Sequence, residues 1–146
     1  MSGPTARAGL RLLAEDADDL AVISAALQDA VAKVGDIGWE PAGRRLTVGF
    51  NRFRWEAEGG RGERVRTGLQ LGGVLGIRSL KLRRDARDAV LELLSLGFEP
   101  GEAPGGEIVF TFAGGGELRA SVECVDVALA DVSAPWPTPR RPAHKD

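Results

Sequence analysis

Ile108-Val109-Phe110-Thr111-Phe112-Ala113-Gly114-Gly115-Gly116-Glu117-Leu118-Arg119-Ala120-Ser121-Val122 is the stretch whose reading decides the fold. Ile108, Phe110 and Phe112 alternate with Val109 and Thr111, three glycines supply residues that tolerate positive φ, and Leu118, Ala120 and Val122 return with the same period of two. Two such runs around a glycine turn predict an antiparallel hairpin with one face buried. Cys124 continues the inward parity, whereas Val125, Val127 and Leu129 change it, so a β-bulge is expected around Cys124.

Working outward, the same period recurs. Ile37 and Trp39, a Pro-Ala-Gly turn at 41–43, then Leu46, Val48 and Phe50 predict a second hairpin. Phe53 and Trp55 have the opposite parity to Phe50, and keeping all of them inside requires a second bulge near Asn51 or Arg52. After the glycine-rich connection 59–62, Val65 to Leu71 alternates, Gly72-Gly73 interrupts, and Val74 to Leu82 reads as a further strand. From Asp85 to Leu96, Ala89, Val90, Leu93 and Leu94 suit a helix and Val90, Leu94, Leu96 and Phe98 a strand; a short helical turn from Arg84 to Ala89 and then a strand is the favoured reading, and Pro100-Gly101 ends either one.

Only one segment has helical period. Leu20, Ile23, Leu27, Ala30 and Val31 share one face of a helix expected from Asp16 to Ala32, preceded by a short strand at Leu10 to Ala14. Asp16 suits the N-cap, and Asp18 and Asp19 place charge on the positive end of the helix dipole. That role accounts for the cluster Glu15, Asp16, Asp18 and Asp19 without a metal.

The expected fold is α+β: a strongly bent antiparallel sheet or open barrel of about seven strands, with one principal helix near the N-terminus. A split barrel and a pleckstrin-homology-like sandwich are the shapes that fit. Phe50, Phe53, Trp55, Phe110, Phe112, Val122 and Cys124 are expected to pack against Ile23 and Leu27. A length of 146 residues suits one domain, read as 9–134. The small polar start at 1–8 and the proline-rich end at 135–146 read as flexible tails.

Hydrophobic and charged shares of 43% and 27% match a folded soluble chain. No apolar run nears the roughly 18 residues of a membrane span, and no signal-peptide pattern opens the chain, so no membrane and a cytoplasmic setting are the expectation. A single cysteine, Cys124, agrees with that setting, and its core-facing position suits an inert thiol.

Chemistry-bearing residues are few. His144, the one histidine, stands in the proline-rich end, and tyrosine is absent, so no histidine-based triad or multi-histidine metal site fits the body. The glycines of 68–76 lack the spacing of a phosphate loop. No catalytic residue, metal or cofactor is therefore expected, and the alternative is an enzyme of unfamiliar type using carboxylates and arginines.

Charge is what stands out. Residues 44–87 carry twelve Arg or Lys against four Asp or Glu, while the flanks carry three against seven and four against ten. A net of −2 is thus −4, +8 and −6 along the chain, and the middle needs anionic company. Strand alternation points Arg52 and Arg54 away from Phe53 and Trp55, and Arg64 and Arg66 away from Val65. Arg83, Arg84 and Arg87 add charge after the next strand. Three readings stay open: pairing with the acidic C-terminal hairpin through Glu117, Glu123 and Asp126; a site for an anionic ligand or an acidic protein partner on Arg52, Arg54, Arg64, Arg66, Arg83 and Arg84; or a subunit interface in a homodimer, with a monomer otherwise. Nucleic acid is disfavoured, because the aromatics are expected to face inward.

Leu20 to Val31, Asn51-Arg52-Phe53-Arg54-Trp55-Glu56 and Phe110 through Cys124 together resemble a small bacterial family, the domain of unknown function twenty-nine forty-eight. The resemblance covers about Leu10 to Trp136. It implies a cytoplasmic, single-domain bacterial protein and carries over no catalytic residue. The functional expectation is a non-enzymatic interaction or adaptor module with a basic face.

Overall fold

The computed structural model describes residues 9–54 and 62–134, and the backbone of 136–137. Trp55, most of the 59–62 connection, His144, the 1–8 start and the rest of the 135–146 end lie outside the described residues.

Among those described, eleven strands and one α-helix form a single antiparallel sheet, bent but not closed into a barrel. The strands are β1 (Arg11–Ala14), β2 (Val31–Lys33), β3 (Ile37–Glu40), β4 (Arg45–Phe53), β5 (Glu63–Leu71), β6 (Val74–Leu80), β7 (Val90–Pro100), β8 (Gly106–Phe112), β9 (Glu117–Val122), β10 (Val127–Asp131) and β11 (Trp136–Pro137). Their order is β1-β10-β5-β4-β2-β7-β8-β9-β6, with β3 added to β4 and β11 to β5. The short strand expected at Leu10 to Ala14 is present as β1, but seven strands undercount this sheet, because β2, β10 and β11 form by pairing with distant strands rather than by an alternation of their own.

Helix α1 (Ala17–Ala26) is shorter than the expected 16–32. Asp16 caps it as expected, its side chain accepting from the Asp19 amide at 2.8 Å. The helix stops because Asp29 takes a left-handed φ of 65° and its amide donates to the Leu93 carbonyl, after which Ala30 and Val31 join the sheet. Their helical spacing was a coincidence of a strand following a helix. Leu20, Ile23 and Leu27 are buried, in one core with Phe50, Phe110, Phe112 and Val122.

The bends fall elsewhere than parity suggested. β4 pairs with β5 in unbroken register from Leu46↔Leu71 to Phe53↔Arg64, so no bulge occurs at Asn51 or Arg52. Phe53 is buried, but on the opposite face of β4 from Phe50. At Cys124 there is likewise no bulge: β9 ends at Val122, and residues 123–126 carry the chain from one half of the sheet to the other. Cys124 is exposed in that connection, not in the core.

True register shifts lie between Val74 and Gly76 and between Leu93 and Ser95. The second is where the sheet turns, since β7 pairs with β2 up to Glu92 and with β8 from Leu93 onward. Helix α1 packs over this turn, and Ser24 Oγ accepts the Leu96 amide at 3.0 Å. Residues 83–89 form two successive turns rather than a helical segment, with Ala86 N bonded to Arg83 O and Ala89 N to Ala86 O. No helix is long and apolar enough to cross a membrane among the described residues.

Candidate functional site

Strand alternation decides the fate of the basic middle. Because β4 is unbroken, Arg52 has the same parity as Leu46, Val48 and Phe50 and points into the protein, where it is fully buried. The expectation that it lies on an outer basic face is corrected. Its Nε donates to Asp131 Oδ1 at 2.9 Å and its Nη2 to Oδ2 at 2.8 Å, a two-pronged pair with side chains 0% and 3% exposed. Thr67 Oγ1 and the Leu10 amide also donate to this carboxylate, at 2.7 and 2.9 Å. Burial pushes the Asp131 carboxyl up. The hydrogen bonds from Arg52, Thr67 and Leu10 outweigh burial and hold it below the ordinary carboxylate range.

The next three arginines are also engaged. Arg54 Nη1 lies 2.6 Å from Glu63 Oε1 across the β4–β5 pair. Arg66 lies over Gly49, 3.1 Å from Asp36 Oδ2 and bonded to Asn51 Oδ1 at 3.1 Å. Arg64 donates to the Asn51 carbonyl, and desolvation lowers its pKa against the opposing pull of Asp29 and Glu92. Arg44 pairs with Glu123 at 2.6 Å, and Arg78 pairs with Glu107 at 3.1 Å.

Arg44, Arg52, Arg66 and Arg78 thus each find a carboxylate in an acidic flank, so the sequence's charge segregation is largely resolved by folding. The carboxylates are not the expected trio. Glu123 serves Arg44 and Glu117 serves Arg119, while Asp131, Asp36 and Glu63 serve the strand arginines. Arg119, beside Glu99, Glu117 and Glu107, has a raised pKa, and Glu107 between Arg78 and Arg119 has a lowered one.

Arg83 and Arg84 differ from the others. They sit in the β6–β7 loop, both exposed, and Arg83 reaches Asp85 only at 4.0 Å, with both side chains about 80% exposed. Arg84 makes no ion pair among the described residues. It lines a cavity of about 90 Å³ together with Arg87, Val34, Ile37, Leu82 and Leu118. Arg87 is held there from both ends: its carbonyl accepts the Gly35 amide at 2.8 Å, and Nη2 donates to the Gly35 carbonyl at 3.3 Å. From Lys81 to Ala89 the loop carries four cations against Asp85 and Asp88.

Four of the six cavity walls were invisible to sequence reasoning. Ile37, Leu82 and Leu118 read as ordinary strand residues, and Val34 only as the point where the helical period ends. No local pattern joins positions so far apart, and only the meeting of the two sheet halves does. Among the described residues no three His, Cys, Asp or Glu side chains converge as metal ligands would.

Comparison with known families gives a match to the model described as "Protein of unknown function (DUF2948)" over residues 10–144. No curated protein and no solved structure matches.

Proposed function

Since the chain belongs to this family of proteins of unknown function, matched over residues 10–144, its activity has to be read from its own geometry, and we propose that it is a non-enzymatic binding module that holds a carboxylate of an acidic protein partner between Arg84 and Arg87. The observation that carries this reading is the cavity wall. Arg84 and Arg87 line the cavity beside Val34, Ile37, Leu82 and Leu118, and among the described residues no carboxylate does. An acidic side chain has the complementary halves: its oxygens meet forked N–H donors, and its methylene stem meets aliphatic carbon. At about 90 Å³ the cavity has room for such a group. Arg83 and Lys81 add positive charge to the same loop and favour the approach of an acidic surface.

The remaining candidates, Arg54, Arg64 and Arg66, support the fold through internal partners, so of the six candidate arginines Arg83 and Arg84 in the β6–β7 loop are the ones left exposed. Titrating the full chain with polyglutamate at low and high salt tests the reading. Binding is expected at low salt, weakening as added ions screen charge over about 8–10 Å. The Arg84→Ala/Arg87→Ala double variant should bind about tenfold more weakly, a loss near 1.4 kcal/mol, while Arg54→Ala should bind as the parent does. Absence of binding at low salt, or indifference to the double variant, overturns it.

A further inference from the structure

The sheet fails to close along one line. β6 pairs with β9 on one edge, and among the described residues no strand pairs with its other edge. Among the described residues β3 pairs only with β4. These two free edges flank the same opening. At the start of β6, the Val74 amide donates to the Arg44 carbonyl, just beyond the end of β3, at 2.9 Å. At the far end, Leu82, two residues past β6, shares the cavity wall with Ile37, the first residue of β3. The edges therefore run past one another in opposite directions, with the Arg84–Arg87 cavity at one end.

A free strand edge is a row of backbone donors and acceptors that will take another strand, and folded proteins usually guard it by brevity, charge or a bulge. β6 is weakly guarded. It is seven residues long, and after the shift between Val74 and Gly76 the ladder from Gly76 to Leu80 is regular. Leu75 and Leu80 stand 55% and 46% exposed near its two ends, and a methyl group placed at Gly76 would meet no atom within 4 Å. The other terminal strand, β1, has only four residues and no cationic loop after it.

We infer that β6 accepts an extended segment of an acidic partner protein as an added strand, with an Asp or Glu of that segment seated between Arg84 and Arg87. Backbone hydrogen bonds along Gly76 to Leu80 supply affinity, contacts with Leu75 and Leu80 supply apolar area, and the arginine cavity fixes the register. The inference rests on the carboxylate reading above and adds the form of the partner.

A displayed library of random seven-residue peptides, matching β6 in length, is panned on the full chain. Enriched sequences should alternate β-branched residues and carry Asp or Glu at one end. The best binder, made synthetically, should slow amide exchange along β6 in the full chain. It should lose about tenfold or more in affinity when its alternate backbone amides are N-methylated, and as much when its acid becomes the amide or when Arg84→Ala is introduced. Failure to enrich any peptide, or a best binder indifferent to N-methylation, overturns strand addition. A binder sensitive to N-methylation but indifferent to Arg84→Ala overturns the carboxylate reading and leaves strand addition in place. The opposite pattern does the reverse.

Discussion

Arg52 and Asp131, 79 positions apart, face each other inside the sheet through two parallel hydrogen bonds of 2.9 and 2.8 Å. The pair ties β4 to β10 across β5, and Thr67 and the Leu10 amide complete the carboxylate's bonds. Such a pair is stable only as a whole, because each charge alone would be stranded away from water.

Arg52→Ala or Asp131→Ala should each destabilise the protein by about 3–5 kcal/mol, since each leaves the other charge buried without its partner. The Arg52→Ala/Asp131→Ala double variant should lose less than the sum of the two single losses. Urea or guanidinium unfolding of the three variants checks the cycle, and additive losses would show that the two side chains do not act on one another.

Acid should weaken the fold through the same carboxylate. The folded Asp131 titrates below its ordinary value, so its contribution is complete above the unfolded pKa, near 3.9. As pH falls below that point the unfolded chain takes up the proton first, and stability drops until the folded carboxyl is protonated too. Unfolding free energy measured between about pH 5 and pH 2 should slope more gently in Asp131→Asn than in the parent, relative to each protein's value at pH 7.

Ser24→Ala should cost about 1–3 kcal/mol, because the Leu96 amide at the turn of the sheet loses its acceptor on the helix. Val22→Ser, on the exposed side of the same helix, should stay within about 0.5 kcal/mol. Equal losses in chemical denaturation would mean that helix propensity, not the helix–sheet bond, sets the effect.

Two glycines should separate cleanly. At Gly106 an added methyl would strike the Glu99 carbonyl and the Phe98 ring across the β7–β8 pair, so Gly106→Ala should destabilise by about 1–3 kcal/mol. At Gly76 the same methyl meets open space, and Gly76→Ala should change the melting temperature little.

Much of the architecture was legible in the chain. Period-two runs foretold β4, β5, β8 and β9 and the glycine turn between the last two, and Asp16 was readable as the helix cap. These features are local: alternation and capping are set by neighbours a few residues away. The family match over residues 10–144 agrees with the resemblance seen in those same segments.

Tertiary structure decided the rest, for one recurring reason. A parity slip in sequence has two solutions, a bulge that keeps apolar residues inside or an unbroken strand that buries a charge with a distant partner, and the choice depends on whether that partner exists. For Arg52 it is Asp131, which no local pattern reveals, so the outward basic face read from alternation became a buried ion pair. Cys124 had no ladder to join, since the chain was leaving one half of the sheet for the other, and it surfaced. By itself the sequence determined an antiparallel protein with one helix and an excess of positive charge in its middle. Which of those charges are consumed internally, and that Arg84 and Arg87 stand beside a cavity at the sheet's open edge, depends on contacts between residues far apart in the chain.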